Sequence, residues 1–136
     1  ANIARLADFI VRMAFSSNRL NLLDFGCGTG LSAIALRTRL DNKDIVLSGL
    51  DRSPRMQEIA VKRGVIQVSP QGQQRFDGIL ASYVLHARTP QQDLDWIAKS
   101  LMPQGVFAAN WLHGSKEELQ AVLTSMRKTR IGTGFI

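Results

Sequence analysis

The chain has 136 residues, 45% of them hydrophobic and 21% charged, which fits one domain around one core and excludes a disordered chain. No apolar run approaches the ~20 residues that span a bilayer, and ANIARLADFIVRMAF carries Asp8 without a small-residue cleavage site, so neither a membrane helix nor a signal peptide is expected. The net charge is 17 − 11 = +6, yet Arg37, Arg39, Lys62, Arg63, Arg127, Lys128 and Arg130 fall near predicted helix ends, where cations favour the macrodipole; this argues against a nucleic-acid partner. One cysteine, Cys27, excludes an intrachain disulfide and fits a reducing, cytoplasmic compartment.

In chain order, strands and helices alternate. Ile3, Leu6, Ala7, Ile10 and Ala14 recur at helical spacing and predict an amphipathic helix over 2–15. NLLDF (21–25) reads as a short buried strand, LSAIALRTRL (31–40) as a helix and DIVLSGL (44–50) as a second strand. Ser53 is a candidate N-cap with Pro54 in the first helical position, Met56, Ile59 and Ala60 as the buried stripe and Gly64 as the C-terminal glycine. GVIQV (64–68) is a weak third strand, SPQGQQR (69–75) a polar loop and FDGILAS (76–82) a fourth strand. Thr89-Pro90-Gln91-Gln92 has the form of a capping box, with Leu94, Ile97, Ala98 and Leu101 as the apolar face behind it and Pro103 and Gly105 as the stop. GVFAANW (105–111) is a fifth strand. Ser115-Lys116-Glu117-Glu118 opens a last helix with Leu119, Val122, Leu123 and Met126 inward. Repeated βαβ units predict an α/β fold, a doubly wound, mainly parallel sheet with helices on both faces. In such a sheet a ligand binds beyond the carboxyl ends of the strands, where strand order reverses.

LLDFGCGTG (22–30) lies at such an end. Gly26, Gly28 and Gly30 permit positive φ and close backbone approach, and the helix start behind them offers N–H groups and a positive dipole end. The turn can therefore hold an anionic group of a ligand. A dinucleotide fingerprint needs G-x-G-x-x-G; here Leu31 stands where the third glycine would, and Gly30 comes one residue early.

Four segments together carry a resemblance. LLDFGCGTG, GLDRSPRM (49–56), FDGILASYVLH (76–86) and LMPQGVFAANW (101–111) stand in the order of the motifs of class I S-adenosylmethionine-dependent methyltransferases, which the chain resembles from about residue 2 to residue 134. The resemblance implies one S-adenosylmethionine-binding methyltransferase domain over 1–136, of the Rossmann-like type that acts on small molecules. It implies that the methionine part of the cofactor lies along Gly26, Cys27, Gly28 and Gly30, that Asp24 organises the turn and attracts the ammonium group, and that Asp51 accepts both ribose hydroxyls. Arg52 and Met56 would flank adenine. Ala81, Ser82 and Val84 would border the sulfonium. Plainer readings stand beside these: Asp51 as a helix-capping acid, Met56 as core, Cys27 as a small turn residue rather than a nucleophile.

A hydroxyl acceptor needs a general base. His86, after the fourth strand, is the candidate catalytic residue, and His113 a weaker one; each can equally be a structural loop histidine. Tyr83 and Trp111 can line the acceptor pocket or simply pack. No metal site is expected. The tetrapeptide of amino-methylating DNA and glutamine enzymes is replaced by Ala81-Ser82-Tyr83-Val84. Two features depart from the family pattern: Val68-Ser69-Pro70-Gln71 lacks the acid that bonds the adenine amino group, and the sequence stops at RIGTGFI without the last two strands, an antiparallel hairpin. The expectation is a C-terminally incomplete domain whose fifth strand is an exposed edge, open to pairing with another copy. The rival readings are a methyltransferase-like binding module without turnover, a nicotinamide dehydrogenase, and a nucleic-acid methyltransferase.

Overall fold

The computed structural model describes residues 19–41, 44–85 and 88–111, together with Arg5, Asp8, Glu117 and Thr124. The elements are β1 (Arg19–Phe25), α1 (Leu31–Arg39), β2 (Asp44–Leu50), α2 (Pro54–Lys62), β3 (Ile66–Gln67), β4 (Phe76–Leu85), α3 (Gln91–Ser100) and β5 (Leu101–Trp111). Of the helix expected over 2–15 only Arg5 and Asp8 are described, both helical, of the Ser115 capping box only Glu117, and both histidines lie outside the described residues.

The five strands form one sheet in the order β3-β2-β1-β4-β5, every pair parallel. Parallel neighbours need crossovers, and the helices supply them. Strand alternation then sorts the core into two layers. Leu20 and Leu22 of β1 join Leu47, Ala33, Leu36 and Ala60 on the face covered by α1 and α2. Leu23 joins Ile79, Ala81, Leu85, Leu94 and Ile97 on the face covered by α3. The doubly wound α/β reading is thus the observed fold. Its strand order reverses at β1, between β2 and β4, so the ends of β1, β2 and β4 frame the ligand crevice.

Local chemistry sets the boundaries. Ser53 caps α2, its Oγ accepting from the Met56 N–H at 3.4 Å, with Pro54 following, and Gly64 closes the helix at φ +88°. Four of the basic side chains do sit at helix ends, Arg37 and Arg39 in the last turn of α1, Lys62 in that of α2 and Arg63 at its C-cap, while Arg127, Lys128 and Arg130 lie outside the described residues.

Four expectations are corrected. The third strand is only Ile66–Gln67, because Gly64 and Val65 still complete the end of α2, the Val65 N–H donating to the Ala60 carbonyl at 3.1 Å. No capping box forms at Thr89: the cap of α3 is Pro90, with no side-chain cap hydrogen bond. Leu101 is the C-cap of α3 and already begins β5, so Pro103 and Gly105 lie within that strand's span instead of stopping the helix. There, Phe76 pairs with Leu101 and Gly78 with Val106, so residues 102–105 bulge as a tight turn. A Cβ at Gly105 would stand 2.9 Å from the Met102 carbonyl oxygen, which is why a glycine is needed. Finally, β4 continues past Ser82 to Leu85 through a second bulge, in which Ala81 pairs with Ala109 and Leu85 with Trp111. Tyr83 sits in that bulge at φ +56°, a left-handed conformation few side chains accept.

Candidate functional site

The glycine turn is built on the paired ends of β1 and β2, where Phe25 faces Leu50. The N–H groups of Gly26 and Cys27 both donate to the Leu50 carbonyl, at 2.7 and 3.1 Å. The Gly28 N–H donates to Asp51 Oδ2 at 2.8 Å, and the Gly30 N–H to the Cys27 carbonyl at 2.9 Å. The amides of Gly26, Cys27, Gly28 and Gly30 are therefore occupied, which leaves the donors expected at the helix start, that of α1. Its first internal bond runs from the Ile34 N–H to the Gly30 carbonyl at 3.1 Å, and Gly30 caps without a side chain, so the N–H groups of residues 31–33 lack intrahelical partners.

All three glycines have positive φ, at +73°, +52° and +84°, but their spaces differ. A Cβ at Gly26 would meet Val84 Cγ2 at 2.1 Å; one at Gly30 would meet the Ala60 backbone at 3.2 Å. Those two are required by packing against β4 and α2. At Gly28 an added Cβ meets nothing within 4 Å. Only there does the turn face open space.

Of the two acids, Asp51 rather than Asp24 makes the hydrogen bonds that hold the turn. Asp51 organises the turn: besides the bond from Gly28, its Oδ1 accepts from the Ser53 N–H at 2.9 Å, and the Gln57 amide donates to its carbonyl. The bond from Ser53 is the one that the capping-acid reading of Asp51 calls for. Asp24 is 1% exposed, and neither of its carboxylate oxygens has a hydrogen-bond partner among the described residues. Burial, followed by the nearby charge of Asp51, pushes its pKa up to about 7. Cys27 is buried, its Sγ close to Gly49, and burial, then Asp24 and Asp51, push its thiol up to about 11. A thiol so far from ionising is no nucleophile at neutral pH.

A cleft of about 1170 Å³ is lined by Gly26 and Asp51 but not by Asp24, Cys27, Gly28 or Gly30. Phe25, Gly26, Leu50, Asp51 and Arg52 form one end; Gln67 to Pro70 and Thr89, Pro90, Gln92 and Asp93 form the other; Gln57 and Val84 complete the wall. Trp96 fixes the far end, its Nε1 donating to the Pro70 carbonyl at 2.7 Å while its ring lies 6.0 Å from that of Phe25. The structure therefore brings Gly26, Asp51 and Arg52 onto one cleft. Met56 stands outside that wall, 41% exposed on α2. Ala81 is wholly buried in the core, Ser82 is half-buried beside it, and Val84 is the β4 residue that reaches the cleft. The walls from Gln57, Gln67, Gln92 and Asp93 are new. Their only sequence signal was polarity, shared with any solvated helix. Among the described residues no cluster of metal-ligating side chains occurs, and no helix is long and apolar enough to cross a membrane.

A family profile described as a methyltransferase domain matches residues 1–122. No curated protein sequence matches the chain. Among solved structures, the sugar N-methyltransferase KedS8 of Streptoalloteichus is 18% identical, with a TM-score of 0.60, over 79% of this chain and 46% of its own. The plantazolicin methyltransferase BpumL, solved with SAH and a substrate analogue, is 17% identical with a TM-score of 0.64, over 94% of this chain and 58% of its own. The cyclase SpnF is 24% identical with a TM-score of 0.58, over 78% of this chain and 43% of its own. The chain thus spans about half the length of these structures.

Proposed function

Because the chain belongs to the methyltransferase-domain family, matched over residues 1–122, we propose that it binds S-adenosylmethionine in the cleft and passes the methyl group to a small-molecule acceptor. The observation that carries this reading is the open space over Gly28, beside a carboxylate that Gly28 and Ser53 already hold in place. A ligand backbone fits where a Cβ would meet nothing, and each Asp51 oxygen keeps a lone pair for a ribose hydroxyl. The partnerless carboxyl of Asp24 suits a cationic ammonium group, and the open N–H groups of α1 suit the carboxylate of the same amino acid. The family match sets aside the nicotinamide dehydrogenase reading.

The cofactor supplies an activated methyl group on a sulfonium; the protein has chiefly to align the acceptor with it. Asp51 anchors the ribose, and Arg52 borders the base. Val84, wedged against Gly26, walls the cleft at the end of β4, near the proposed sulfonium position beside Ala81 and Ser82. His86 follows two residues after the strand-ending bulge and is the proposed general base for a hydroxyl acceptor. A cytoplasmic location belongs to the same proposal, as does pairing of copies through β5, which forms one edge of the sheet among the described residues.

The rival is a binding module that keeps the fold and the cofactor without turnover. Folds do not dictate chemistry, and SpnF, a cyclase, shares this one. Incubation with methyl-labelled S-adenosylmethionine and a panel of small hydroxyl and amine acceptors separates the two. Label on an acceptor, lost in His86→Ala, supports transfer; tight cofactor binding with no labelled product across the panel supports the module.

A further inference from the structure

Two carboxylates line the cleft among the described residues, Asp51 near the glycine turn and Asp93 at the far end. Asp93 lies in the first turn of α3. Its Oδ2 stands 2.5 Å from Nη2 of Arg52, the residue that follows Asp51. The pair therefore ties the β2–α2 loop to α3 across the cleft. The acid is sheltered, its side chain 21% exposed, while the arginine is 78% exposed. The neighbouring polar groups are otherwise arranged. Ser69 Oγ donates to Gln71 Oε1 at 2.9 Å and accepts from the Gln71 N–H at 3.3 Å. Gln67 and Gln92 are exposed amides, free to present either a donor or an acceptor. Asp93 is the one carboxylate at this end among the described residues, half-buried and held by its ion pair.

We propose that Asp93, held by Arg52, reads the amino edge of the cofactor's purine base and selects adenine over bases bearing a carbonyl at that position. This rests on the reading that the ligand is S-adenosylmethionine. With the amino-acid end at the glycine turn and the ribose on Asp51, the base extends toward Gln67–Pro70 and the start of α3. An ionised carboxylate only accepts hydrogen bonds. Adenine offers it an exocyclic N–H; hypoxanthine sets an oxygen there, and the two acceptors repel. Asp93 is the specificity-determining residue and Arg52 a positioning residue, whose guanidinium keeps one carboxylate oxygen engaged.

The test is equilibrium titration of the full 136-residue chain with S-adenosylhomocysteine and with its hypoxanthine counterpart, S-inosylhomocysteine. The wild type is expected to favour adenine by roughly 10- to 100-fold, the usual worth of a hydrogen bond to a charged group. Asp93→Asn, whose amide can donate as well as accept, should bring that ratio close to one. Asp93→Ala should lose adenine affinity and raise hypoxanthine affinity, since the repulsion between the two acceptors is gone. Arg52→Gln should lower the ratio partway, whereas a merely structural bridge would weaken both ligands equally. An undiminished ratio in both Asp93 variants, with S-adenosylhomocysteine still bound, overturns this inference alone. Binding of neither ligand by the folded wild type overturns the cofactor reading and this inference with it.

Discussion

Asp24 and Asp51 carry the same side chain into opposite surroundings. Asp51 has two backbone donors, at 2.8 and 2.9 Å, on its two oxygens; Asp24 has none among the described residues and is buried beside it. The pKa of Asp24 therefore rises from 3.8 in a free chain to about 7 in the fold. The sign follows from linkage. Between those values the unfolded chain releases a proton that the native state keeps, so stability falls as pH rises toward 7 and levels off above it. Asp24→Asn removes that dependence. Thermal unfolding of the variant should vary less between pH 5 and 8 than that of the wild type, and at pH 8 the variant should be the more stable; an unchanged pH profile would contradict the burial of an unpaired carboxyl. Ligand binding has the opposite dependence. An ammonium group favours the ionised acid, so affinity for S-adenosylhomocysteine should weaken by up to about tenfold per pH unit below 7, and Asp24→Asn should flatten that slope.

The glycines make a second residue-scale case. Their spacing was plain in the sequence, but it could not say that Gly26 yields to Val84 and Gly30 to Ala60, because those neighbours come from β4 and α2. Gly28→Ala should weaken ligand binding, with its cost in stability limited to the strain of a φ of +52°, since the space is open. Gly26→Ala should chiefly destabilise, its Cβ meeting Val84 at 2.1 Å. Melting and ligand titration of the two variants distinguish them; the same loss of stability in both would contradict the division of roles. Asp51→Ala should cost roughly 1–3 kcal/mol in ligand affinity, the range for bonds to a charged group.

Among the elements, the helices and central strands were legible because each carries its own signal. Ser53-Pro54 opens α2 by local chemistry, and Ser53→Ala should lower stability by about 1 kcal/mol, measurable by denaturant unfolding. β2 matched its reading residue for residue, Asp44–Leu50, since a continuous apolar run is what two covered faces demand. The misread boundaries depend on pairing partners. The bulge at 102–105 exists because Leu101 is in register with Phe76 while Val106 is in register with Gly78, which no local pattern in LMPQG reveals. The bulge at 82–84 likewise hides the last residues of β4, and with them Val84. Trp96 has no motif around it; its bond to Pro70, which holds the far end of the cleft, joins segments that only the fold brings together.

For the whole molecule, the strand order 3-2-1-4-5 is what makes the site. It sets the ends of β1 and β2 side by side, so that Leu50 and Asp51 can bond the glycine turn, and it leaves the crevice between β1 and β4 where α3 can reach it. The sequence patterns announced the fold class and the acid-bearing end of this crevice. They did not announce the α3 wall, which is assembled from polar residues with no motif. The account's central claim is that this crevice takes the adenosyl cofactor, and calorimetric titration of the chain with S-adenosylhomocysteine, with NAD as control, tests it most directly. One-to-one saturable binding with NAD silent is the predicted result; at a hundred times the dissociation constant it should add about 2.7 kcal/mol to stability. No heat and no thermal shift from a chain shown to be folded would contradict the claim.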